Sequence, residues 1–195
     1  MWSALLLAAA CAPVTAQEAP PADEVLVAGA VLAAPPADRA AAEVRAWNAD
    51  GTLRVLRQGT NHLICLADRP GDDRFHVTCY HRALEPFMER GRELTRQGVS
   101  GMERQRTRWR EAREGALPVP DHPVMLYNFT VSDGPFDPLH DDEGRAARLQ
   151  ALYMPYATPE STGLPARSED GSPWLMWPGE PSAHVMIFLP PRGGG

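Results

Sequence analysis

The sequence predicts an α+β fold: a largely antiparallel sheet with a helical pair inserted between two groups of strands. Three observations lead there. Short extended runs bounded by turn residues fill Glu43 to Tyr80 and return from Pro123 to Leu189. Between them, Leu84, Phe87, Met88, Gly91 and Leu94 recur at helical spacing. Regular strand-helix alternation, the mark of a parallel sheet, is missing.

The chain opens on Ala4-Leu5-Leu6-Leu7-Ala8-Ala9-Ala10, an apolar stretch too short to span a bilayer. Val14-Thr15-Ala16 then places small residues where signal peptidase cleaves. Residues 1–16 are therefore expected to be a signal peptide, although Met1-Trp2-Ser3 carries no basic side chain. Residues 17–22 read as a flexible leader. Residues 23–189 form the expected single α+β domain, and residues 190–195 a disordered tail. A rival reading processes the chain as a lipoprotein in front of Cys11, but Ala8 stands where such a site usually has Leu. The expected location is extracytoplasmic, periplasmic or secreted, with lipid anchoring through Cys11 the less favoured form. No later segment has the apolar length of a membrane helix, so no integral membrane segment is expected after cleavage.

The domain elements follow in order. Asp23 is positioned to cap a helix over Glu24 to Ala33, ended by Pro35-Pro36. Val44 to Trp47 and Leu53 to Arg57 flank Asn48-Ala49-Asp50-Gly51, a hairpin signature because Asp-Gly readily supplies positive φ. His62 to Leu66 and Phe75 to Tyr80 are the next strands. The helix beginning near Leu84 tolerates Pro86 in its first turn. A break at Gly98 to Gly101 precedes a second helix over Met102 to Glu114, whose arginines alternate with Glu103, Glu111 and Glu114 and read as a solvated face. Strands are expected again at Pro123 to Val131, Leu149 to Tyr156, Trp174 to Trp177 and His184 to Leu189. Ser161-Thr162 reads as a turn.

Signal cleavage removes Cys11 and leaves Cys65 and Cys79, an even pair that an oxidising compartment joins. Closing that loop stabilises the fold by about 3 kcal/mol in the chain-entropy treatment. The net charge of -6 opposes binding to a phosphate backbone, so nucleic acid is not expected as a partner. All 19 basic residues are Arg. The absence of Lys rules out a Walker A lysine, a Schiff-base lysine and a Ser-x-x-Lys nucleophile.

Signatures of catalysis are missing: there is no Gly-x-Ser-x-Gly, His-Glu-x-x-His or Gly-x-Gly-x-x-Gly. Asp133, Asp137 and His140-Asp141-Asp142-Glu143 have oxygen ligands suited to a hard cation but lack the spacing of a calcium loop, and a solvated acidic loop is the better reading. His76 and His81 fall on opposite faces of one strand and cannot chelate together without a bulge. No metal and no cofactor is expected. His184 enters an apolar strand after a Gly-Pro-rich loop, a position suited to an acid, base or ligand at a pocket mouth. Glu160 and Glu180 are its candidate carboxylate partners. Tyr153, Met154, Tyr156, Trp174, Met176, Trp177, Met186 and Phe188 suit a core or the lining of an apolar pocket.

Three segments carry a resemblance: Leu56-Arg57-Gln58-Gly59-Thr60-Asn61 followed by Cys65 and Cys79, Pro173-Trp174-Leu175-Met176-Trp177-Pro178-Gly179, and Ala183-His184-Val185-Met186. Together with Ala33-Ala34-Pro35-Pro36 they resemble a family of uncharacterised exported bacterial proteins with no established activity. The resemblance implies that Gly59, Asn61, Cys65, Cys79 and His184 occupy recurring positions, which adds Asn61 to the candidate binding residues. Tyr80-His81 departs from the small or acidic residues the pattern favours there. The leading expectation is a non-catalytic module binding a small molecule or an envelope protein through the C-terminal strands and the loop before His184. The alternatives are a hydrolase or metal-assisted enzyme using His184 with a nearby carboxylate, which requires the two in contact in an open cleft, and a structural envelope-associated protein.

Overall fold

Along most of the extended runs, apolar side chains occur at both parities, so the strands bury residues on both faces and need cover on each side. A computed structural model, which describes residues 22–71 and 74–191, supplies that cover from two sets of helices. The expected signal peptide, Cys11, nearly all of the leader and residues 192–195 lie outside the described residues. Helix α1 spans Asp23–Ala30 and runs into a 3-10 turn at Val31–Ala33. Strands β1 (Glu43–Trp47), β2 (Leu53–Arg57), β3 (Leu63–Leu66) and β4 (Phe75–His81) follow. Helices α2 (Glu85–Arg96) and α3 (Gly101–Arg113) separate them from β5 (Val124–Val131) and β6 (Ala147–Tyr153). The one-turn helix α4 (Pro159–Thr162) precedes β7 (Trp174–Met176) and β8 (His184–Leu189).

The eight strands form one sheet in the order β2-β1-β3-β4-β5-β6-β8-β7. Every pairing is antiparallel except β1 with β3. That exception arises because β3 returns on the side of β1 opposite β2, so residues 58–62 must cross the start of β1. Gly59 passes there against the Glu43 backbone, where a side chain has no room. Thr60 N–H donates to Ala41 O at 2.8 Å, and Asn61 ties the crossing down from both ends of its amide.

The register assigns each side chain to a face. One face carries Ile64, Tyr80, Leu126 and Ala151 beneath Leu84 and Met88 of the helical-pair segment. The other carries Val44, Leu63, Cys65, Cys79, Val77 and Phe129 beneath α1 and Val31-Leu32. Cys65 and Cys79 are directly opposite across β3 and β4 and form a disulfide, fully buried. Tyr80 O–H donates to Glu85 Oε2 at 2.6 Å and accepts from Arg92, while Arg45 pairs with both Glu43 and Glu85. This polar network pins α2 to the sheet, and burial raises the Tyr80 phenol.

Four details differ from expectation. Ala22, not Asp23, is the cap of α1; Asp23 begins the helix and accepts from Arg54 Nη2 at 2.8 Å. Strand β6 starts two residues early and stops at Tyr153, because Met154 N–H turns to Ala183 O. Ser161-Thr162 belongs to α4, closed by a capping box in which Thr158 and Ser161 exchange hydrogen bonds. The face of α3 is not wholly solvated, since Arg108 is buried between α2 and α3.

Candidate functional site

His184 begins β8 on the helical-pair face, where Tyr153 and Met176 are its neighbours in register. Only 8% of it is exposed. Its ring stacks on Tyr153 at 4.8 Å between centroids, and its Nδ1–H donates to Ser182 O at 2.7 Å. That bond fixes the tautomer, and burial holds the imidazole below its usual range. Among the described residues no carboxylate hydrogen-bonds to it. Glu180 pairs instead with Arg113 at the outer end of α3. Glu160 is exposed in α4, its carboxyl lowered by hydrogen bonding to Thr158. The described residues thus show no hydrogen bond joining His184 to either carboxylate. Asn61 is also occupied internally: its amide donates to Asp38 O at 2.9 Å and its oxygen accepts from Leu63 N–H at 3.0 Å.

The acidic loop is laced by internal side-chain pairs. Arg145 bridges Asp133 at 2.9 Å and Asp141 at 3.3 Å, and His140 Nδ1 meets Asp137 at 2.8 Å. His76 hydrogen-bonds Thr130. His81 lies apart from it, 5.0 Å from the His62 ring and 5.8 Å from that of His122. Among the described residues, no group of three or more His, Cys, Asp or Glu side chains is arranged to hold a metal ion.

A concavity lies on the opposite face from His184. It is a cavity of about 710 Å³. Its floor comes from three adjacent strands: Tyr127 of β5, Arg148 and Gln150 of β6, and Leu189 of β8. One wall is Ala33-Ala34-Pro35-Pro36 with Arg39, the other Asp142-Glu143-Gly144. The prolines end the helical segment and bring backbone without N–H donors to the rim.

Its charges are ordered. Arg39 makes a two-pronged pair with Glu143 at 2.8 and 2.9 Å and also donates to Ala34 O at 3.2 Å. Arg148 donates to Glu143 Oε2 at 2.9 Å, with its guanidinium 4.9 Å over the Phe129 ring. Arg39 first, and then Arg148, hold the Glu143 carboxyl down to about 2. Burial raises the Tyr127 phenol, which makes it a hydrogen-bonding group rather than a proton-transfer group at neutral pH. The cavity therefore combines a phenol, an amide, two guanidiniums paired with the Glu143 carboxylate and the aliphatic Ala33-Ala34-Pro35-Pro36 wall, a set suited to binding. Sequence reasoning missed these residues. A signal existed in β6, where Arg148 and Gln150 break the otherwise apolar parity that Leu152 continues.

Comparison of the chain with protein-family models, curated proteins and solved structures finds no match. Among the described residues, no helix is long and apolar enough to cross a membrane.

Proposed function

We propose that this protein is a non-catalytic, extracytoplasmic binding module that holds a small molecule in the groove floored by Tyr127, Arg148, Gln150 and Leu189. The groove itself carries the reading: its volume of about 710 Å³ lies within the range of small-molecule sites, and its polar groups converge from rigid strands. The Cys65–Cys79 disulfide and the apolar stretch before Ala16 support export. The resemblance to exported bacterial proteins is in keeping with this assignment. The groove replaces the C-terminal aromatic strands as the site, because Tyr153, Trp174 and Met186 lie on the face beneath the helical pair. His184 takes no acid-base part in this reading.

Native mass spectrometry of protein purified from its own host's envelope tests the proposal. The expected result is a retained small-molecule adduct that disappears in Gln150→Trp, which fills the groove floor. An adduct carried equally by Gln150→Trp, or wild-type protein that carries none and binds nothing from a periplasmic metabolite extract, would overturn it.

A further inference from the structure

Three buried side-chain nitrogens have no hydrogen-bond partner among the described residues: Arg104 Nε, Arg108 Nε and Trp174 Nε1. All are donors, and all lie on the helical-pair side of the sheet, opposite the groove. Trp174 shares the face of Tyr153 and His184 through the β6–β8–β7 register. Arg104 and Arg108 are one turn apart on α3, which packs over that face.

Arg108 stands out among the arginines of α3. Arg106 and Arg110 are exposed and Arg113 pairs with Glu180, whereas Arg108 is only 8% exposed. Its Nη1–H donates to Phe87 O at 3.2 Å, its Nη2–H to Gln105 Oε1, and its guanidinium lies 4.2 Å over the Phe87 ring. Gln105 cannot swing away, because its amide nitrogen donates to Ser182 Oγ at 2.7 Å, which also accepts from Trp109 at 2.8 Å. Gly91 of α2 leaves the space: a methyl group there would stand 2.9 Å from Arg108 Nη1.

Every one of these acceptors is neutral. Among the described residues no carboxylate pairs with Arg108 or with Arg104, whose Nη1–H donates to Thr95 Oγ1 at 2.8 Å. Arg104 places a like charge near Arg108, and burial pulls Arg108 down to about 10, still cationic at neutral pH. A buried cation held by fixed neutral dipoles and lacking a counter-charge is unfavourable unless an anion visits it. Guanidinium forks match carboxylate and phosphate oxygens.

We propose that the packed seam between α2 and α3 binds a small oxyanion, a carboxylate or a phosphate, with Arg108 Nε–H as the inner donor and the less buried Arg104 beside it. This site is separate from the groove and does not depend on the function assigned to it.

The test follows arginine Nε–H signals of the whole purified protein by ¹⁵N NMR while inorganic phosphate or acetate replaces chloride at constant ionic strength. The Arg108 signal is identified by its loss in Arg108→Lys. A saturable shift of that signal with one of the anions is expected, and the responsive anion identifies the head group. Arg104→Gln should weaken binding by about tenfold or more. The same anion should raise the melting temperature of wild type but not of Arg108→Met. An Arg108 signal unmoved by both anions across the millimolar range, or an equal melting shift in wild type and Arg108→Met, overturns the proposal. Should Arg108→Met fail to fold, the wild-type titration alone decides.

Discussion

Replacing Gly59 with Ala probes the crossing on which the β1–β3 pairing depends. An added Cβ would stand 2.2 Å from Glu43 N, 2.8 Å from Glu43 Cα and 2.9 Å from Ala42 C. All three are backbone atoms, so no rotamer change relieves the contact, and Glu43 and Val44 are buried. Ordinary contact requires the chains to separate by more than an ångström. That movement pulls Glu43 from Ile64 in register, and strains its pairs with Arg45 at 2.6 Å and Arg82 at 2.9 Å. Overpacking a rigid site costs about 1–3 kcal/mol, and one or two weakened ladder hydrogen bonds add about 1 kcal/mol each. A total of about 4 kcal/mol corresponds to a melting temperature lower by about 8–16 °C for a domain of this size. Thermal unfolding followed by far-ultraviolet circular dichroism measures it. Gly144→Ala is the control, since its Cβ meets only the exposed Asp142 carboxylate, its oxygens at 3.1 Å, and no backbone. If Gly59→Ala melts within about 2 °C of wild type, the steric reasoning is wrong.

Joint replacement of Cys65 and Cys79 by Ala should lower stability by about 3 kcal/mol through the 14-residue separation they close; an unchanged urea midpoint would count against the loop-closure account. Acid should weaken the fold through histidine. Burial, then His62, His122 and Arg82, hold His81 below 6.5, and burial does the same to His184. The unfolded chain therefore takes up these protons first, so stability is full above pH 6.5 and falls as pH drops below it. A urea midpoint that rises between about pH 7.5 and about pH 5.5 would contradict the sign. Glu143→Gln should cost about 1 kcal/mol at neutral pH after allowance for solvent screening of its partly exposed pairs. The wild-type advantage should vanish as pH falls from 4.5 toward about 2, because the folded carboxyl stays ionised below the point where the unfolded one protonates.

Local patterns were readable because their causes are local. The Asp50-Gly51 turn between two extended runs is enough to specify the β1–β2 hairpin, and the period of Leu84, Phe87, Gly91 and Leu94 is enough to specify α2. Cys65 and Cys79 could be paired by counting, without knowing that they lie opposite each other in β3 and β4. Asn61 entered the candidates through the resemblance, yet its amide serves the chain crossing, which no sequence period announces. The same holds for Arg108, which shares its helix with solvated arginines and is distinguished only by the packing of α2 against α3.

The sequence by itself determined the class of fold, the succession of strands around a helical pair and the cysteine pair, since periodicity, turn chemistry and composition act over a few residues. Tertiary structure decided which face each strand presents and which distant residues meet. Tyr127, Arg148 and Leu189 converge through register, Arg39 reaches Glu143 across 104 residues, and His184 donates to Ser182 O rather than to Glu160 or Glu180. Such meetings depend on long-range pairing, which is selected by burial of whole faces and not by any local preference of the chain.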